Sequence, residues 1–420
     1  IDCDDIWESN LPHVVYGIAL IDTNCSLTIE QGTHVYFHNN GAIVALNKSS
    51  LKVKGTKEEP VILEGDRLEP EYSNVAGQWQ GLYLFPLSID NEINWAVIKN
   101  SRLGIQADTI NPSASSNPTL TIRNSMVYNC SSIGISGRGA WIEGSNCIFA
   151  NCGDYCGAFT LGGNYNFSHC TFSNYAPNGI DKSALILNNW FEDNNRNIIS
   201  RNLESANFNN CIVYGSQENE VKLSKVDEGV FNFTFRNCLL KVKTSDVNTS
   251  TSEFTNCSIN KDPDFIDINA HNFNLNKNSS AKDIGELNKV NDDLTNLEFD
   301  LNGNSRTIDE KPDAGTPAVT GAISSQPLTF YKNTGVSAEK TYTTPTLIAY
   351  QKYRIRYRYF IPRYVGAGNT SVVIDSSNLD RNAEMNIQRP ADPTTRRLEF
   401  WHLFGIDYDF SDGAKGTFPK

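Results

Sequence analysis

The sequence predicts an all-β protein: a parallel β-helix followed by a small antiparallel β domain. Three observations carry this reading. A short motif recurs about every 23 residues, its apolar and polar side chains alternate strictly, and 44 of the 49 asparagines fall before residue 305. Asparagine competes with the backbone for hydrogen bonds, so such an excess disfavours long helices and suits turns and bends.

The motif reads AVIKNSRL from Ala96, LTIRNSMV from Leu120 and IEGSNCIF from Ile142, then YNFSHCTF, ANFNNCIV, FTFRNCLL and SEFTNCSI. Its small residue falls at Ser101, Ser125, Cys147, Cys170, Cys211, Cys238 and Cys257, at intervals of 24, 22, 23, 41, 27 and 19 residues. A period of this size with two-residue alternation marks strand-turn-strand coils stacked on copies of themselves. The apolar side chains three before and two after the small residue face the core, as in Ile98 with Leu103, Phe167 with Phe172 and Phe235 with Leu240. The Asn or His just before the small residue (Asn100, Asn124, Asn146, His169, Asn210, Asn237, Asn256) falls at the bend. Stacked amides there bond along the axis and satisfy backbone groups that the corner leaves unpaired. The interval of 41 has room for a degenerate coil through Ala184 to Asn188 or an excursion around Asn189 to Asn202. Upstream of Trp95 the strands SLTIEQGTHVYF, GAIVAL, SLKVKG, PVILEG and GLYLF remain legible. With layers roughly 4.8 Å apart, the stretch from Asn24 to Asp267 makes a rod of about ten to twelve coils.

The segment LTIEQGTHVYFHNNGAIVALNKSSLKVKGTKEEPVILEG, followed by GQWQGLYL, resembles the opening coils of secreted right-handed parallel β-helix repeat proteins. It is most similar to surface or lipid-anchored members typical of Bacteroidota. NSSAKDIGELN and then FDLNGNSRTIDEKPDAG, Phe299 to Gly315, resemble the terminal module known as a choice-of-anchor domain. The resemblance implies a right-handed helix and an extracellular or bacterial outer-surface location. It transfers no activity, because this fold hosts lyases, hydrolases, adhesins and scaffolds alike. Such modules usually close on Gly-Ala-Tyr-Glu, whereas here Gly315 runs into TPAVTGAISSQ. The organisation expected is therefore a lead-in or cap at 1–23, the β-helix at 24–268, a terminal module at 269–315 and a further β-rich domain at 316–420.

The linker from Thr316 to Gln326 is rich in Ala, Gly, Ser and Pro. Beyond it, TYTTPTLIAYQKYRIRYRYFIPRY alternates polar and apolar residues, and SVVIDSS and RRLEFWHLFGIDYDF read as further strands of a small antiparallel domain.

Charge is uneven. Residues 1–315 hold 23 Lys+Arg against 39 Asp+Glu, whereas residues 316–420 hold 13 against 9, within a total of -12. So negative a body lacks the basic footprint that nucleic-acid binding needs, and it weakens the case for a polyanionic substrate. No run of 18 apolar residues exists, so no membrane span is expected. The sequence opens at Ile1 without an initiator Met or a signal segment, which suggests that an upstream portion was removed or is not included.

Ten cysteines are more than a cytosolic protein usually carries. Cys147, Cys170, Cys211, Cys238 and Cys257 fall on one inward column and read as a ladder of buried thiols. Cys130 and Cys152 form a second column, with Cys156 close by, and a disulfide between two of these three is expected. A second disulfide, Cys3 with Cys25, would tie the lead-in to the first coil. Zinc held by Cys130, Cys152, Cys156 and His169 fits no standard ligand spacing. The cysteines favour an oxidising compartment.

Outward columns are where a β-helix binds or cuts. Counted from the motif, Trp95 and Trp141 stand two coils apart on one face, about 10 Å, a spacing that suits sugar rings. Lys99 and Arg123 occupy another outward column with Glu143 beside them, a constellation able to neutralise a uronate and take its proton. Both groups also fit ordinary solvated strand positions. The Asp cluster and Gly-His-Gly of a pectin hydrolase are absent. Asp300, Asn302 and Asn304 have the alternating oxygens of a structural calcium loop but lack its downstream Glu, which equally describes a capping turn. No other cofactor is implied.

Three functions are compatible with these features. The first is a non-catalytic cell-surface or secreted β-helix that binds a glycan or protein or acts as a spacer. The second is a glycan-active enzyme of the lyase or hydrolase type, which requires Lys99, Arg123 and Glu143 within a few ångströms. The third is a subunit of a larger surface complex, suggested by the charge contrast between the two parts.

Overall fold

In a computed structural model the chain divides into two compact units, Ile1–Thr320 and Gly321–Lys420. The structure describes residues 1–109, 117–176, 182–193, 195–286, 297–306 and 311–316, together with four strands of the second unit. The zinc alternative and every named site residue fall within the first unit.

The first unit is a parallel β-helix. Strands of each coil enter three sheets, which we call A, B and C, with ten, ten and eight strands. The first coil comprises Asp5–Trp7, His13–Val15 and Ile18–Ile21, so the three strands that open the sheets lie within residues 1–23. The tenth coil holds only Phe254–Thr255 in sheet A and Ser258–Ile259 in sheet B. The described structure thus has ten coils.

Alternation dictates which way each strand faces. Ser26–Glu30 in sheet A buries Leu27 and Ile29 and turns Ser26, Thr28 and Glu30 outward. In-register stacking then sets like on like. Phe167, Phe208, Phe235 and Phe254 are register partners on four successive coils. Their rings stack at 5.6, 4.8 and 5.5 Å between centroids. One coil earlier the same column holds Gly144, where a Cβ would come within 2.4 Å of the Phe167 ring. Only glycine leaves that ring its place.

The corner between sheets A and B requires left-handed backbone, and Asn124, Asn146, His169, Asn210, Asn237 and Asn256 all take φ between 51° and 56° there. Asparagine tolerates this region better than most residues. Its amide also continues along the axis: Asn146 Nδ2 donates to Asn124 Oδ1 at 2.7 Å and Asn124 Nδ2 to Asn94 Oδ1 at 2.9 Å. Asn210 Nδ2 donates to His169 Nε2 at 3.0 Å, and burial together with the nearby Arg306 charge holds that imidazole well below its ordinary pKa.

The register of the first motif copy differs from its sequence alignment. Ala96–Lys99 belongs to sheet B, whereas Leu120–Arg123 belongs to sheet A. The true partners of Leu120–Arg123 are Asn91–Asn94, so Trp95 stands opposite Asn124 at the corner. The similarity of AVIKNS to LTIRNS reflects strands of two different sheets that are both followed by Asn and a small residue, at Asn100 and Asn124. Asn100 starts a separate ladder, accepting from Asn129 Nδ2 at 2.7 Å. The interval of 41 is resolved as one coil carrying an excursion. Leu185–Asn188 is its sheet C strand, and Trp190–Glu192 pairs antiparallel with Ile198–Ser200 outside it.

Past the last coil the chain turns back along the outside of sheet B. Phe265–Asp267 and Asn272–Leu275 form an antiparallel pair. Phe273 packs on Ile148 and Ala150, while Leu275, Ala281 and Ala314 pack on Ile212 and Leu239. This return segment also covers part of the asparagine ladder: Asn146 Oδ1 accepts from Arg306 Nη2 at 2.7 Å and from Thr316 Oγ1 at 2.6 Å. Asn210 bonds the Glu286 backbone through both amide atoms, at 2.7 and 2.9 Å.

In the second unit, Lys352–Tyr359 pairs antiparallel with His402–Asp409 and Thr370–Ser376 with Arg381–Ile387. The first three of these fall in segments that the sequence marks as strands, whereas RNAEMNI, at Arg381–Ile387, is a strand that the sequence reading does not include.

Candidate functional site

The structure separates the residues that the sequence places together. Arg123 and Glu143 lie on adjacent strands of sheet A, with Thr121 opposite Glu143 and Arg123 opposite Ser145. Lys99 lies in sheet B, opposite Tyr128. The Lys99, Arg123 and Glu143 constellation does not form, because the motif copy that carries Lys99 is one strand out of phase with the others. Arg123 instead faces Glu92 at 3.8 Å. The two tryptophans also part. Trp141 opens its sheet A strand, and Trp95 sits at the far corner of that sheet with φ of 50°. The columns they occupy are five residues apart along the strand, on the order of 16 Å, which rules out their use as a paired platform.

On sheet A the side chains that remain build a continuous polar row. Glu143, Asn166, Asn207 and Thr234 are register partners on four successive coils, and all face outward and are partly exposed. Thr234 Oγ1 donates to Asn207 Oδ1 at 2.8 Å, Asn207 Nδ2 to Asn166 Oδ1 at 2.7 Å, and Asn166 Nδ2 to Glu143 Oε1 at 2.8 Å. Trp141 Nε1 donates to the same Glu143 oxygen at 2.5 Å. Every donor points toward one carboxylate, so the bonds polarise one another in the same sense. The indole ring is thereby fixed at the end of a strip about 14 Å long. A second pair runs beside it, Ser205 donating to Asn164.

On sheet B the column Tyr36, Glu64, Lys99, Tyr128 runs across four coils. Lys99 Nζ meets Glu64 Oε2 at 2.7 Å. Burial opposes the Lys99 charge, yet its bond to Glu64 and the neighbouring Tyr128 and Tyr36 hold the ammonium above its ordinary pKa. Burial raises both phenols. The return segment adds His271, whose ring lies 4.7 Å from Tyr128 and whose Nδ1 is 2.8 Å from Asn151 Nδ2. Burial and then the Lys99 charge lower the His271 pKa, so the imidazole is neutral at neutral pH. None of Tyr36, Glu64, Tyr128 or His271 is singled out by sequence. The alternation of Glu64 and Tyr128 marks them as outward, but their approach to His271 depends on the return of the chain.

The cysteines divide. Cys3 and Cys25 form a disulfide between the first two coils. Cys130, Cys152 and Cys156, expected to supply another, are free buried thiols. All three lie in connections between strands, and Ser101 Oγ meets Cys130 Sγ at 3.3 Å. Cys147, Cys170, Cys211 and Cys238 are buried and free, and Cys257 is partly exposed. Among the described residues no three His, Cys, Asp or Glu side chains are grouped to hold a metal ion.

The Asp300, Asn302 and Asn304 loop is a turn closed on itself. Asp300 Oδ1 accepts from the backbone N–H of Asn302 at 2.9 Å and of Asn304 at 2.7 Å, and Asp300 Oδ2 accepts from Asn304 Nδ2 at 3.0 Å. The carboxylate is 1% exposed beneath the turn, and its charge supports the buried Arg306, whose pKa burial brings down to about 10. One further buried acid stands at the sheet C corner. Glu220 accepts from the backbone N–H of Ala184 and of Gln217, both at 2.7 Å, and burial raises its pKa to about 7.

Among the described residues no helix is long and apolar enough to cross a membrane. No curated protein matches the chain. The family model described as a right handed beta helix region matches residues 87–240, which span the middle coils and the whole polar row. The three stacked sheets and that match agree: the first unit folds as a right-handed parallel β-helix.

Proposed function

We propose that this is a non-catalytic secreted or cell-surface β-helix whose sheet A face binds a glycan. One observation carries the reading: the row from Trp141 through Glu143, Asn166 and Asn207 to Thr234, held rigid by its own hydrogen bonds. An immobilised indole offers a sugar ring an apolar face, and amides and a carboxylate on a fixed pitch offer hydroxyl partners at little entropic cost. A glycan-array screen of the full chain, followed by titration of the best ligand, tests it. Trp141→Ala and Asn166→Ala should each weaken binding about tenfold or more, roughly 1.4 kcal/mol. Native-like affinity in both variants would sink the proposal.

A second reading, a glycan-active enzyme, draws on sheet B. There the neutral His271, the phenol of Tyr128 and the Lys99 ammonium gather on one partly buried face. A base beside a cation is the minimum for abstracting a proton next to a carboxylate. Incubation with a panel of polyuronates should then release unsaturated products, lost in Lys99→Met. A panel that yields neither new chromophore nor reducing ends removes this reading.

A further inference from the structure

Stacking in register sets cysteine over cysteine along the corner between sheets A and B. Phe235 pairs with Phe254 and Leu239 with Ser258, which places Cys238 directly opposite Cys257 on the adjoining coil. The same rule places Cys211 opposite Cys238, since Asn209 pairs with Arg236 and Ile212 with Leu239. Asp5 pairs with Leu27, so Cys3 and Cys25 are also register partners, and they are bonded with their Cα atoms 4.8 Å apart. The chain itself therefore demonstrates that adjacent coils can be joined through register-matched cysteines. That Cα separation is close to the spacing of neighbouring strands and lies within the range a disulfide accepts.

The thiols of the ladder lean the same way. Cys257 Sγ lies 3.3 Å from the Phe235 carbonyl and 3.5 Å from that of Thr255, Cys238 Sγ 3.3 Å from Phe208 and 3.2 Å from Arg236, and Cys211 Sγ 3.5 Å from Phe167 and 3.2 Å from Asn209. Each sulfur thus sits between its own coil and the coil before it, where the next cysteine stands. Cys257 differs from the rest: it lies on the last described coil, it is partly exposed, and among the described residues nothing of the ladder stacks beyond it. Cys130 and Cys152, also opposite one another, are 1% and 0% exposed and sealed from a reagent.

We propose that Cys257 and Cys238 are a redox modification site, in which Cys257 reacts with a small disulfide of the glutathione class and Cys238 completes a disulfide across the last two coils. In the first step the Cys257 sulfur, having given up its proton, attacks one sulfur of the small disulfide. A mixed disulfide forms and one small thiolate leaves. In the second step the Cys238 sulfur attacks the Cys257 sulfur, forming the Cys238–Cys257 bond and expelling the second small thiolate. The two protons released by the cysteines end on the two expelled thiolates. The protein loses two electrons and the small disulfide gains them. The result clamps a coil whose strands are two residues each, Phe254–Thr255 and Ser258–Ile259.

The test uses the full chain and oxidised glutathione. After trypsin, Cys238 lies in residues 237–241 and Cys257 in residues 244–261, so a bond between them appears as one linked pair of peptides. The expected product is native protein lighter by two hydrogens, with the link mapped to that pair. A transient glutathione adduct should precede it on Cys257 and persist in Cys238→Ser. Cys257→Ser should give neither adduct nor link, and proteolysis within residues 244–252 should slow several-fold on oxidation of the native chain alone. A stable adduct on Cys257 of the native chain without a link overturns the proposal. So does an unmodified Cys257, and so does a link that appears first between Cys130 and Cys152. The native-chain measurement stands even where a serine variant fails to fold.

Discussion

Lys99 and Glu64 form an ion pair of 2.7 Å between adjacent coils on the outer face of sheet B, with 20% and 17% of their side chains exposed. So screened a pair lies between a surface salt bridge, worth under about 1 kcal/mol, and a buried one whose single members are costly to remove. Glu64→Gln should therefore destabilise the first unit by about 1–3 kcal/mol, read as a lower urea midpoint. Glu64→Leu combined with Lys99→Met should recover much of that loss, since the pair is then replaced rather than broken. A double variant as unstable as the sum of the single ones would contradict this account.

Glu220 makes stability depend on pH in a direction opposite to most acids. Its folded pKa of about 7 lies above the ordinary 4.5, so between these values the folded state binds more protons than the unfolded state. The folded state is favoured below pH 4.5, loses that advantage as pH rises, and has lost it above pH 7. At 1.36 kcal/mol per unit the whole difference is about 3 kcal/mol. Urea midpoints at pH 5 and pH 8 should show native protein losing more stability over this interval than Glu220→Gln. Parallel profiles for the two proteins would refute it.

Asn146 joins three demands in one side chain. It takes a φ of 56°, continues the ladder to Asn124, and receives Arg306 and Thr316 from the return segment. Asn146→Ala leaves the buried guanidinium short of an acceptor and should cost about 3–5 kcal/mol. Asn146→Gly relieves the backbone but not the hydrogen bonds, so it should recover only about 1 kcal/mol of that. Limited proteolysis should cut residues 262–316 faster in both variants than in native protein. Equal cutting rates would mean that the return segment is held elsewhere.

Metal chelation should leave the melting temperature unchanged, because Asp300 already accepts from Asn302, Asn304 and the Asn304 amide. Asp300→Ala should lower it, since several turn donors and the buried Arg306 lose their acceptor or counter-charge together, at roughly 2–4 kcal/mol. A melting temperature that falls on chelation and returns with calcium would show that the loop holds an ion.

The candidate site was legible only in part. Outward alternation identified Trp141, Glu143, Lys99 and Arg123 as surface positions, and their sheets bear this out. Their grouping failed because AVIKNS and LTIRNS look alike while lying on different sheets, and a periodic sequence does not say which of two similar strands starts the coil. Asn166 and Asn207 were visible as outward residues, but the direction of their hydrogen bonds arises only when coils stack. The expected disulfide among Cys130, Cys152 and Cys156 rested on proximity, and the structure gives proximity without a bond.

What the sequence by itself determined is everything that repeats locally: the alternation that turns Leu27 and Ile29 inward, the asparagines whose short amides tolerate left-handed corners, and the cysteine column. These follow from side-chain size and backbone preference within a few residues. Tertiary structure alone decided what lies between residues far apart: the return of Phe273, Leu275, Ala281 and Ala314 over sheet B, the bond of Arg306 to Asn146, and the meeting of His271 with Tyr128. The last two join positions more than 120 residues apart, and the return forms because the outer face of sheet B carries Ile148, Ala150 and Ile212, apolar side chains that water disfavours and the returning chain covers.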